Sequence, residues 1–88
     1  MIYYTYILQS EVDGSFYIGQ SNDVENRLIK HNEGKSKYTS KKIPWKIAYF
    51  EEYETRKEAI QRERFLKKQK NRSFYQRLID TWSGSSVG

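Results

Sequence analysis

The stretch Ile2-Tyr3-Tyr4-Thr5-Tyr6-Ile7-Leu8-Gln9-Ser10-Glu11-Val12-Asp13-Gly14-Ser15-Phe16-Tyr17-Ile18-Gly19 decides how this chain is read. Residues 2–10 and 15–19 are rich in β-branched and aromatic side chains, and the acidic segment between them ends in Asp13-Gly14. Two such runs around Asp-Gly predict a pair of strands closed by a tight turn. The hairpin brings two phenols, Tyr6 and Tyr17, near one another. Arg27 and His31 stand four residues apart, so on the helix expected next they share a face. Phenol, guanidinium and imidazole gathered on a basic chain point to chemistry on a phosphate. Tyrosines are also ordinary strand formers, and by themselves they establish only the hairpin.

Composition bounds what surrounds this hairpin. The 88 residues make one domain with room for a modest core. Apolar residues amount to 36% and aromatic ones to 16%, so much of that core is aromatic. The chain has no cysteine, which excludes disulfides, thiolate nucleophiles and cysteine-based zinc sites. No segment approaches a membrane span, and the amino terminus lacks the basic-then-apolar order of a signal peptide, so a cytoplasmic protein is expected. Sixteen lysines and arginines against eleven acids leave a net charge of +5, which favours polyanions through counterion release.

Beyond the hairpin, Asn22 with Glu25 three residues later fits a capping box opening a helix. That helix places Val24, Leu28 and His31 along one side, and Gly34 stops it. Residues 35–42 are polar and basic and are expected to form a mobile loop. After Pro44, residues 45–53 alternate as a third strand. Thr55 and Glu58 form a second capping box, with Ala59, Ile60, Phe65 and Leu66 at helical spacing up to about Lys70. Residues 71–73 break the pattern, and Ser73 with Gln76 caps a short third helix carrying Phe74, Leu78 and Ile79. Residues 83–88 read as a flexible tail. The expectation is an α+β fold in the order β-β-α-β-α-α, with a small three-stranded antiparallel sheet flanked by helices. A single domain spans 1–82.

The segments Tyr4-Thr5-Tyr6 and Tyr17-Ile18-Gly19, followed by Arg27, His31 and Glu63, resemble the GIY-YIG nuclease superfamily. The second signature triplet is intact. In the first, Tyr4 and Thr5 stand where the namesake letters are glycine and isoleucine, while Tyr6 keeps the third position. The resemblance runs to about Leu78. It is similar to the small single-domain bacterial members related to the amino-terminal domain of the excision-repair endonuclease. It implies a metal-dependent DNA endonuclease, acting in repair or recombination, that hydrolyses phosphodiester bonds.

Within that resemblance, Tyr17 and its hydrogen-bonded partner Tyr6 orient the scissile phosphate or activate water. Arg27 stabilises charge on the phosphate, and His31 acts as base, acid or phosphate donor. Glu63 holds Mg²⁺ or Mn²⁺. The residue chemistry is compatible with each role. A guanidinium fork suits phosphate, a histidine titrates near neutrality, and a hard cation accepts one carboxylate completed by phosphate oxygens and waters. A phenol with an ordinary pKa of about 10 is a poor base without a nearby cation. Each residue also has a plainer reading: an i,i+4 ion pair with Lys67 for Glu63, a solvated helix position for Arg27, a helix-dipole partner for His31. Gln20, Lys35, Lys37, Lys41, Lys67, Asn71 and Arg72 are the candidate DNA contacts. Nothing resembles a base-reading helix, so DNA structure or a protein partner is expected to set specificity. The rival reading is a nucleic-acid-binding module that keeps the fold without turnover.

Overall fold

Alternation along the first strand gives the sheet two faces, and each carries its own apolar cluster. A computed structural model describes residues 1–35 and 37–82 in full, together with the backbone of 83–87. Strand β1 (Tyr3–Ser10) lies in the centre, with β2 (Phe16–Ser21) and β3 (Trp45–Tyr53) antiparallel on either side, in the order β2-β1-β3. Helix α1 (Val24–Asn32), a one-turn helix α2 (Lys37–Ser40), α3 (Arg56–Gln69) and α4 (Arg72–Val87) complete the chain. The α+β architecture and the antiparallel three-stranded sheet are those expected from the sequence. The tail expected at 83–88 falls where side chains, and all of residue 88, lie outside the described residues; α4 carries the backbone as far as Val87.

Tyr6 and Leu8 point to one face, where they pack with Val24 and Trp45 and against Tyr17, Leu28 and Phe50. Thr5 and Ile7 point to the other, where Ile7, Ile18, Ala48, Leu66, Tyr75 and Ile79 form the larger cluster under α3 and α4. The pairing of β1 with β3 slips between Ile7, opposite Tyr49, and Leu8, opposite Ile47. This bulge inverts the alternation of β3, as an extra residue in one strand must. Tyr49 therefore faces α3 and α4, while Ile47 and Trp45 face α1. Without the slip, Trp45 would point away from the histidine helix.

The helix caps differ in part from the expected ones. Thr55 caps α3, its hydroxyl accepting from Glu58 N–H at 3.2 Å, with the Glu58 carboxylate 3.0 Å from the same hydroxyl. In α1, however, the cap is Asp23, not Asn22: its carboxylate accepts from Asn26 N–H at 3.0 Å. For α4 it is Asn71, not Ser73, with Asn71 Oδ1 accepting from Ser73 and Phe74 N–H at 2.9 and 3.3 Å. In both places the cap is the Asp or Asn whose side chain reaches the free N–H three residues on, Asn26 from Asp23 and Phe74 from Asn71. Gly34 follows α1 at φ +79°, and its N–H reaches back to His31 O. Phe65 faces outward at 45% exposure, against Phe74 and beneath Arg62, whereas Ala59 and Leu66 are buried as the helical spacing requires.

Candidate active site

The register places Tyr6 directly opposite Gly19 and Leu8 opposite Tyr17. Tyr6, Leu8, Tyr17 and Gly19 thus share the α1 face. The Tyr6 phenol lies across Gly19, where a Cβ would sit 2.5 Å from Tyr6 Oη and 2.8 Å from Cζ. Gly19 is therefore required by the phenol of the neighbouring strand. The strand expected to end at Gly19 runs on to Ser21.

Around this phenol the structure assembles the five predicted residues. Tyr6 is fully buried, and burial pushes its hydroxyl above the usual tyrosine range. The neighbouring Arg27 opposes the shift without overcoming it, while Tyr17 and Glu63 lie close enough to add to it electrostatically. Tyr6 Oη nevertheless meets no partner with hydrogen-bond geometry. The hydrogen bond between the phenols that the resemblance implies is not formed. The Tyr17 ring rests instead on the His31 imidazole, centroids 4.6 Å apart, and edge-on to Trp45 at 6.3 Å.

His31 is buried at 6% exposure near the end of α1, so it does more than meet the helix dipole. Its Nδ1 lies 3.1 Å from Thr39 Oγ1, while Nε2 is buried with no partner. Burial first, and then the charge of Arg27, hold its pKa below the ordinary histidine value. Thr39 is wholly buried, and its carbonyl accepts from Trp45 Nε1–H at 2.9 Å. Of the expected mobile loop 35–42, residue 36 lies outside the described residues, and residues 37–40 form α2, because the histidine and the indole both need Thr39. Asn32 secures the same corner, its Oδ1 accepting from Trp45 N–H at 2.7 Å and its Nδ2 donating to Trp45 O at 3.1 Å. Thr39 and Asn32 escaped the sequence reading because their neighbours are polar and basic, and Trp45 was read only as the start of the third strand. The spacing of eight residues between His31 and Thr39 carries no periodic signal.

Glu63 sits on α3 with its side chain 18% exposed, and Lys67 Nζ is 2.7 Å from its carboxylate. The i,i+4 ion pair is therefore formed in the same structure that brings Glu63 within electrostatic range of Tyr6. Helix α3 is tied to β1 one turn earlier, where the buried Thr5 hydroxyl donates to Ala59 O at 2.7 Å. Among the described residues no three His, Cys, Asp or Glu side chains cluster as a metal site. The chain's own contribution to a cation is one carboxylate, which fits a hard ion only if water and phosphate oxygens fill the remaining positions.

The candidate DNA contacts are dispersed. Gln20 and Arg27 line an open polar cavity of about 240 Å³ together with Ser21, Asn22 and Arg56. Lys67 reaches the cluster through Glu63. Lys35 pairs with Glu33 at 3.5 Å, and Lys37 and Lys41 lie on or beside α2, exposed. Asn71 caps α4, and Arg72 donates to Gly14 O at 3.1 Å with its guanidinium over the Phe16 ring. These last two hold the β1–β2 turn and the α4 start, and neither is brought to the phenols. A more apolar recess of about 260 Å³ between α1 and β3 is lined by Tyr4, Val24, Ile47 and Phe50, and by the acids Asp23, Glu25 and Glu52. Those carboxylates repel a phosphate, whereas the recess lined by Arg27 and Arg56 has no acid in its lining among the described residues.

A central antiparallel sheet with two tyrosines on one face of neighbouring strands, an arginine and a histidine on the first helix and a glutamate on the third defines a nuclease-type class. The model of the GIY-YIG catalytic domain matches residues 2–77, and the chain belongs to that family. It is 43% identical over 76 residues to a UPF0213 protein of Bacillus licheniformis, covering 83% of this chain and 77% of that one. A UPF0213 protein of Streptococcus pneumoniae is 41% identical over 68 residues, covering 76% of this chain and 68% of the other. The solution NMR structure of a UPF0213 protein from Bacillus halodurans is similar at a TM-score of 0.53 and 34% identity, covering 86% and 81% of the two chains.

Proposed function

We propose that this protein is a divalent-metal-dependent endonuclease that hydrolyses DNA phosphodiester bonds in the cytoplasm, in repair or recombination. The observation that carries the reading is the convergence of Tyr6, Tyr17, Arg27, His31 and Glu63 on one corner of the sheet, with Tyr6 Oη beside the Arg27 guanidinium and His31 Nε2 buried without a partner. Buried polar atoms left unpaired are costly, and in a cleft they mark where a ligand completes the hydrogen bonding. Mg²⁺ or Mn²⁺ on Glu63, when bound, would supply Lewis-acid stabilisation of the phosphate.

The remaining work falls to the chain's own groups. Arg27 offers its guanidinium to the non-bridging oxygens, where negative charge builds as water attacks phosphorus. Tyr6 stays protonated at neutral pH and donates a hydrogen bond; it is not the base. His31 is neutral at that pH. In the tautomer that donates from Nδ1 to Thr39, its Nε2 lone pair accepts the proton of the attacking water as the bond from phosphorus to the departing sugar oxygen breaks. Tyr17, its ring tilted against the imidazole, orients that water or the phosphate. A binding module without turnover is the second reading, and the Glu63–Lys67 ion pair is the observation that favours it.

Supercoiled-plasmid and branched-DNA nicking decides between them. The nuclease reading expects nicked product that appears with Mg²⁺ or Mn²⁺ and disappears with EDTA. DNA binding with no metal-dependent product would leave the binding module.

A further inference from the structure

The cavity beside the candidate active site has no assigned occupant, and the two arginines that line it have no acid among the described residues to neutralise them. Arg56 occupies the first helical position of α3, where the helix dipole disfavours a cation. Neither Arg56 nor Arg27 is ion-paired with an acid among the described residues. The two guanidinium groups line the same open recess of about 240 Å³ from different helices, with Gln20, Ser21 and Asn22 at the end of β2 between them. Gln20 lines it, and the Oε1 of this side chain is buried with no hydrogen-bond partner. A 180° rotation about χ3 presents the amide NH₂ at that position instead, converting an unused acceptor into a donor. Arg56 is held over the Tyr3 ring, its Cζ 5.2 Å from the centroid, which limits the freedom of an otherwise exposed side chain.

Two unneutralised guanidinium groups and an amide around a polar recess select an anion with several acceptor oxygens. Because Arg27 belongs to both the recess and the Tyr6 cluster, that anion stands next to the phosphate beside Tyr6. We propose that the recess is a subsite for the backbone phosphodiester adjoining the scissile one, with Arg56 as its main cation and Gln20 as its hydrogen-bonding floor. This rests on the DNA-cleaving reading and adds to it a fixed path for the strand, from the phenol cluster towards the start of α3. Ser21 and Asn22 offer polar side chains and no apolar platform, so the subsite reads backbone and not bases.

Binding of fluorescein-labelled nicked duplex, measured in EDTA across a series of NaCl concentrations, tests the subsite. Arg56→Gln is expected to weaken binding about 3- to 10-fold and to reduce the salt slope of log Kd by about one. Arg56→Lys is expected to keep the slope. Lys57→Gln is the control for removing a charge at the next position, outside the recess. If Arg56→Gln matches Lys57→Gln in affinity and slope while the unsubstituted protein still binds and nicks DNA, the subsite is overturned and the nuclease reading stands. If the unsubstituted protein shows no salt-dependent binding, both are overturned.

Discussion

Gly19 shows how one missing methyl group sets the geometry of a site. Its neighbour across the ladder, Tyr6, fills the space a Cβ would take. Gly19→Ala is expected to destabilise the fold by about 1–3 kcal/mol through overpacking, seen as a lowered denaturation midpoint. Adding Tyr6→Phe removes the 2.5 Å contact but leaves the one to Cζ at 2.8 Å, so the double variant should recover only part of the loss. Full additivity would show that the two residues do not meet. His31 gives a second test at this scale. Its folded pKa is depressed, so its contribution to stability is complete above the ordinary value of about 6.5 and falls away as pH drops below it. Chemical denaturation from pH 7.5 to 5 should show this loss, and His31→Gln should flatten it. The same depression places the acid limb of any nicking profile below that pH.

Between elements, α3 is held to the sheet by an ionic contact as well as by the buried Leu66 and the Thr5–Ala59 hydrogen bond. Arg62 grips Glu51 of β3 through Nε and Nη2, at 2.9 and 3.1 Å, while Tyr49 and Tyr53 donate short hydrogen bonds to the same carboxylate. Burial raises the pKa of Glu51, but the hydrogen bonds from Arg62, Tyr49 and Tyr53 together outweigh it and bring the carboxyl below its usual range. Tyr53 is pushed up to about 12, by burial first and then by Glu51. With its folded pKa depressed, Glu51 stabilises fully above the ordinary carboxylate value of about 4.3, and that stability is lost as pH falls through the folded value. Arg62→Met should cost about 2–3 kcal/mol at neutral pH, because it leaves a mostly buried carboxylate without its cation. Urea midpoints for Arg62→Met and for Glu51→Gln check this, and equal midpoints with the unsubstituted protein would refute it. The strands and the α3 cap were legible in the sequence because period-2 alternation and a Thr-x-x-Glu box are local signals. The slip in β3, the Asp23 and Asn71 caps and α2 were not. Each depends on a choice among near-equivalent neighbours that tertiary packing makes, as Thr39 shows by bonding both His31 and Trp45.

For the molecule as a whole, a net charge of +5 is unevenly used. Arg27 and Arg56 open to a polar recess on one side, while Asp23, Glu25 and Glu52 border the apolar one between α1 and β3. DNA is therefore expected on the side of the phenols. No helix among the described residues is long and apolar enough to cross a membrane. The membership of the cluster was legible from Tyr6, Tyr17, Arg27, His31 and Glu63 taken in order. What the order could not convey was the partnering: that Tyr17 rests on His31, that Tyr6 has Arg27 and not the other phenol as its polar neighbour, or that Arg56, far along the chain, joins Arg27. The most direct test of the central claim is single-turnover nicking with Mg²⁺ by the unsubstituted protein, Glu63→Gln and Tyr17→Phe, purified in parallel and matched for folding and DNA affinity. The account predicts that both substitutions lower the rate by about 100-fold or more while DNA binding persists; nicking at the unsubstituted rate in Glu63→Gln would contradict it.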